Sequence, residues 1–143
     1  MEQSKKFSYK LATFRKTVSG FVSALDIDLG QFSPEIADVI KNGQIQKFEI
    51  CAELTWKILK IYLDQFHGID AKSPKETIKE VYLIELINEA EYELLLDMLN
   101  DRNRLSHEYK EEYFEEIIQR LIKYRDLLLE ILPKIESPDA ASN

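Results

Sequence analysis

From Phe7 onward the apolar positions Leu11, Phe14, Val18, Phe21 and Leu25 recur at spacings of four and three. That repeat places side chains on one stripe of an α-helix, and it predicts a first amphipathic helix. Between Asp26 and Asn42 the pattern lapses. Gly30, a Ser33-Pro34 pair and an Asn42-Gly43 dipeptide are turn chemistry, so this stretch is expected to be a connection with a short helical turn after Pro34. A second helix is expected from about Gln44 to His67, with Ile45, Phe48, Ala52, Thr55, Leu59, Tyr62 and Phe66 on one stripe and Ile50, Leu54, Ile58 and Ile61 beside it. So broad an apolar face implies contacts on two sides.

Gly68 is a natural stop. Ser73-Pro74-Lys75-Glu76 then combines an N-cap serine, a proline at the first helical position and a capping-box glutamate, so a short third helix starts there and ends near Glu85 or Leu86. A fourth pattern, with Leu95, Met98 and Leu99, leads into the string from Asp101 to Tyr109. The last helix, from about Glu112 to Glu136, carries Phe114, Ile117, Leu121, Tyr124, Leu128, Ile131 and Ile135 in an unbroken repeat. Pro133 is expected to kink its final turn. The expected fold is all-α: an antiparallel up-and-down four-helix bundle with an additional short helix, in one domain over 1–136, followed by a disordered polar tail over 137–143.

Composition agrees with helices, because the chain has only four Gly and four Pro in 143 residues, too few turns for a many-stranded sheet. The hydrophobic content of 45% supplies a core without staples. Cys51 is the only cysteine, which rules out an intramolecular disulfide and a Cys-based zinc site and fits a reducing, cytoplasmic location. The N-terminal MEQSKKFSYK has no apolar signal core, and no run of about 18 apolar residues is present to span a bilayer. A net charge of -7 works against general binding to a phosphate backbone, although a few arginines in a groove can still make a local basic site. Glu85, Glu89, Glu91, Glu93 and Asp97 show no metal-ligand spacing and are expected on a solvated face, so neither metal nor cofactor is expected.

The candidate chemistry lies in Asp101-Arg102-Asn103-Arg104-Leu105-Ser106-His107-Glu108-Tyr109. On a continuous helix Arg102, Leu105, Ser106 and Tyr109 share one face, whereas His107 lies about 140° round from Arg102 and shares its face with Asn100, Asn103 and Arg104. Arg102 and His107 converge only if the helix ends between them or if two copies of the motif meet across a two-fold axis. Together, an arginine and a histidine can cleave RNA without metal, the histidine moving the 2′-hydroxyl proton and the arginine stabilising charge on the phosphate. Arg102 can also grip a phosphate with both prongs, and the Tyr109 hydroxyl can bind a ligand or accept a transferred group. A plainer reading stands beside these: an Arg and a His near a helix C-terminus cap carbonyls and favour the negative end of the dipole. His67, beside Gly68, reads as such a cap. Trp56 and the other aromatics at helical spacing read as core or interface.

The stretch Gly43-Gln44-Ile45-Gln46-Lys47-Phe48-Glu49, followed by Glu53-Leu54-Thr55-Trp56-Lys57, resembles the second-helix signature of nucleotidyltransferase substrate-binding proteins. Ser73-Pro74-Lys75-Glu76 with Ile78, then Met98 to His107 with Tyr109, match later blocks of that family in order, over about residues 43 to 125. The chain departs at Arg104-Leu105, where a Leu-Thr pair is expected. This family is part of the wider HEPN superfamily, whose hallmark of an Arg, four to six residues and a His resembles Arg102 and His107, with Tyr109 completing an R-x4-H-x-Y form. It is similar to the helical domain beside the catalytic fold in kanamycin nucleotidyltransferase.

The resemblance implies a homodimer flanked by separate minimal nucleotidyltransferase subunits. The chain would be a non-catalytic substrate-binding subunit, using Arg102, Asn103, His107 and Tyr109 to hold a nucleotide or small-molecule substrate shared with the partner. Related HEPN proteins imply an alternative: a metal-independent RNase toxin of a toxin-antitoxin pair, neutralised by a nucleotidyltransferase antitoxin. Arg102 and His107 would then be catalytic, RNA the substrate and Tyr109 the site of modification. Nothing in the sequence resembles a nucleotidyltransferase active site, with its Gly-Ser motif and paired aspartates on a strand.

Overall fold

The computed structural model describes residues 2–107 and 110–136, with side chains at 5–107 and 113–136. These residues form α1 (Glu2–Leu25), a 3-10 turn at Leu29–Gln31, α2 (Pro34–His67), α3 (Pro74–Leu83), α4 (Glu89–His107) and α5 (Lys110–Glu136). No strand occurs among them, so the fold is all-α as expected.

Side-chain contacts give the helix directions. Gln44 Nε2 donates to the Ala24 carbonyl at 2.9 Å, and at the other end of the same pair Phe7 packs edge-on against Phe66 with centroids 5.1 Å apart, so α1 and α2 are antiparallel. Arg104 pairs with Glu116 at 3.6 Å while Lys134 reaches Glu91 at 2.6 Å, so α4 and α5 are antiparallel too. The short α3 packs on both α2 and α4. Phe14, Phe21, Phe48, Leu59, Leu95, Met98, Ile117 and Leu128, drawn from all four long helices, are fully buried in one continuous core.

The connection read over Asp26–Asn42 is half wrong, since α2 begins at Pro34 and runs through Asn42 and Gly43. Ser33 caps it by accepting from Ile36 N, and Pro34 supplies the fixed φ of a first helical residue. The Asn42-Gly43 pair is no turn, because neither residue has the positive φ that such a turn needs, and the Asn42 amide donates back to the Asp38 carbonyl at 2.8 Å. The other signals hold. Gly68 stops α2 at φ 64°, and Ser73 with Glu76 caps α3. Glu85 takes φ 63° just beyond α3, which ends at Leu83. Helix α5 continues through Pro133 to Glu136; the proline leaves the Leu129 carbonyl without its helical donor. The polar tail over 137–143 lies outside the described residues.

Candidate functional site

Asp101 occupies an apolar phase of α4, one turn after Met98 and one turn before Leu105, and it is buried with them. A carboxylate there needs partners. Arg120 of α5 supplies two, with Nε at 2.8 Å and Nη2 at 2.7 Å, and the Tyr124 hydroxyl donates a third hydrogen bond. Hydrogen bonding to Asp101 raises the Arg120 pKa, and burial followed by the bond to Asp101 raises that of Tyr124, so one remains a cation and the other a phenol. Arg104 stands over the Tyr113 ring with its guanidinium carbon 3.7 Å from the centroid, and also approaches Asp101 at 3.7 Å. This network ties the last turns of α4 to the first half of α5.

Arg102 points the other way, toward α2, where Nη2 meets Glu53 at 3.1 Å; both side chains are 31% exposed. Partial burial opposes the charge on Glu53, but hydrogen bonds from Trp56 and Lys57 and the nearby Arg102 hold its carboxyl below the ordinary range. Asn103 is exposed and contacts Arg102 through its amide oxygen at 3.4 Å. His107 is exposed at the end of α4. Because α4 is continuous through His107, the helix does not end between Arg102 and His107, and one chain leaves them on different faces. Tyr109 lies outside the described residues.

One turn along α2 from Glu53, Glu49 lines an open cleft of about 710 Å³ between α2 and the start of α5, together with Asp38, Asn42, Ile50, Phe114 and Glu115. Arg102 therefore stands just past one end of an open, acid-rimmed groove. Sequence reading missed Asp101, Arg120 and Tyr124 as a set, although a lone acid in an apolar stripe was a signal. It also missed that Glu91 is buried rather than solvated: its carboxylate accepts from Asn88 N at 2.9 Å and from Lys134, as the Asn88-x-x-Glu91 spacing of a capping box allows. Among the described residues no three His, Cys, Asp or Glu side chains are grouped to hold a metal, and no helix is long and apolar enough to cross a membrane.

Fold and motif together define a helical bundle that displays a polar Arg-to-His segment at the end of one helix. Residues 9–137 match the family described as nucleotidyltransferase substrate binding protein like, and the chain belongs to that family. It is similar to a protein from Thermus thermophilus whose crystal structure is known, with 29% identity and a TM-score of 0.74 over 85% of this chain and 98% of that one. No curated protein matches the chain.

Proposed function

We propose that the chain is a non-catalytic substrate-binding subunit that pairs with a separate minimal nucleotidyltransferase and contributes one wall of its substrate site. Family membership supports the class of partner. The observation that carries the reading is the placement of Arg102: it is tied to Glu53 beside the α2–α5 cleft, while His107 projects from another face of the same unbroken helix. Such an arrangement presents groups to a ligand or partner and does not bring the Arg102 guanidinium and the His107 imidazole together on one phosphate within a single chain. In this reading Arg102, Asn103, His107 and Tyr109 complete the site only beside other chains, a second copy of this chain among them. The ligand is a nucleotide or a small molecule shared with the catalytic subunit.

The test is to express the chain without a partner in a bacterial host, beside Arg102→Ala and His107→Ala at matched levels, and to follow growth and the integrity of cellular RNA. The binding reading expects three harmless proteins and intact RNA. Growth arrest with fragmented RNA in the wild type alone identifies a ribonuclease instead, with Arg102 and His107 as its catalytic pair across a dimer.

A further inference from the structure

The groove between α3 and α4, about 400 Å³, is lined by Lys75, Glu76, Lys79, Tyr92, Leu96 and Asn100. Lys75 and Lys79 are one turn apart on α3, exposed, and without an ion-pair partner among the described residues. Glu76 is the one acid in the lining, and its carboxylate is engaged by the Lys72 N–H at 2.9 Å as part of the α3 cap. Tyr92 is stacked on Tyr82, with centroids 4.8 Å apart and planes 15° apart, so the plane of the groove's aromatic wall is fixed from behind. The Asn100 side chain is exposed at the far end, with no hydrogen-bond partner among the described residues.

The other clefts differ in charge. The α2–α5 cleft presents Asp38, Glu49 and Glu115 and no cation in its lining. Between α4 and α5, Arg104 and Arg120 line a cleft but are already held by Asp101 and Glu116. Lys134, at the opposite end of the bundle, is held by Glu91. An anion entering any of these displaces an existing partner or meets carboxylates with no unpaired lysine or arginine in the described lining, whereas the α3–α4 groove sets two ammonium groups at helical i, i+4 spacing against the one carboxylate of Glu76.

We infer that the α3–α4 groove binds a nucleoside monophosphate, with the phosphate between Lys75 and Lys79 and the base against Tyr92 and Leu96. Two adjacent ammonium groups supply the charge a phosphate needs, a supported aromatic ring and a leucine supply the flat apolar wall a base needs, and the Asn100 amide, two turns of α4 beyond Tyr92, adds a donor at the phosphate end. The groove falls within the size range of small-ligand sites. Every lining residue belongs to this chain, so the inference does not rest on pairing with a nucleotidyltransferase.

The experiment is titration calorimetry of the full chain with adenosine monophosphate in metal-free buffer. Saturable binding with Kd of about 1 mM or tighter is expected, weakened about tenfold or more in Lys75→Gln/Lys79→Gln and by raised salt. Lys16→Gln, exposed on α1 and in none of these clefts, leaves it unchanged, and adenosine or inorganic phosphate alone binds about tenfold more weakly. Because both lysines are exposed, the double variant keeps its melting temperature, which circular dichroism checks. Absence of binding at about 5 mM ligand, equal binding by the double variant, or phosphate binding as well as the nucleotide each overturns the inference.

Discussion

Asp101 and Arg120 join α4 to α5 through two parallel hydrogen bonds, at 2.8 and 2.7 Å, with the carboxylate buried and the guanidinium about one-third exposed. The pair sits directly before Arg102 in sequence, so whatever Arg102 and His107 do depends on a helix that Asp101 anchors. Removing the charge in Asp101→Asn leaves Arg120 facing a neutral amide that cannot accept all of its donors. Breaking a buried pair from one side costs about 3–5 kcal/mol, and the exposure of Arg120 places this case near about 3 kcal/mol. Thermal denaturation should show the melting temperature falling by roughly 10 °C. A fall of less than about 2 °C means that water replaces Asp101 at little cost.

Much of this fold was legible because apolar residues recur in a three-four rhythm and because Gly68 and Ser73-Pro74 punctuate it with unambiguous chemistry. The errors share one cause. Asn42-Gly43 reads as a turn on local propensity, yet Ser33 and Pro34 start a helix upstream and Ile45 and Phe48 bury the face that continues it. Glu91 reads as a solvated acid, and Asp101 draws no reading beyond its place at the head of the motif, because one sequence shows the residue and not the lysine or arginine that arrives from α5. The motif itself was legible as a string, but the faces its residues take were not, since these turn on whether α4 runs unbroken through His107.

Gly43 tests the helix reading directly. A Cβ added there meets nothing within 4 Å, and the residue lies inside α2 with no positive φ. Gly43→Ala should therefore raise stability by about 0.5–1 kcal/mol through the lost freedom of the unfolded chain, read as a shift in the urea midpoint. Destabilisation instead indicates a backbone at Asn42-Gly43 that is not helical in solution.

Cys51 is fully buried, and burial pushes its thiol up to about 12, only partly offset by Lys47. At about pH 8 the thiolate fraction is then on the order of one in ten thousand. A disulfide reagent such as Ellman's should leave the native protein unmodified and titrate one thiol in denaturant. Rapid labelling of the native protein would contradict the burial.

Glu91 gives the fold an acid-sensitive point. Burial opposes its charge, but the Lys134 ammonium and the Asn88 N–H outweigh that and hold the carboxyl below the ordinary glutamate range. A carboxyl whose folded pKa is depressed stabilises fully above its unfolded value, about 4.3, and loses that contribution as pH falls through the folded value. The stability gap between wild type and Glu91→Gln should thus be largest near about pH 6 and shrink toward about pH 3. A gap independent of pH assigns the effect to packing and not to charge.

Arg102 and Glu53 complete the set, because the interpretation of any Arg102 variant depends on what the pair contributes to folding. Both side chains are 31% exposed and the contact is a single 3.1 Å approach, the geometry of a partly solvated ion pair. Such pairs contribute about 0.2–1 kcal/mol. Arg102→Ala should shift the free energy of urea unfolding by no more than about 1 kcal/mol, and Glu53→Gln by a similar amount. The double variant should lose less than the sum of the two single changes, since each already breaks the same contact. Within those limits, a change in ligand binding, partner binding or RNA integrity in Arg102→Ala reports on the site itself. A loss beyond about 2 kcal/mol makes Arg102 a structural tie between α4 and α2, and the functional comparison then passes to His107→Ala, whose exposed side chain leaves the core untouched.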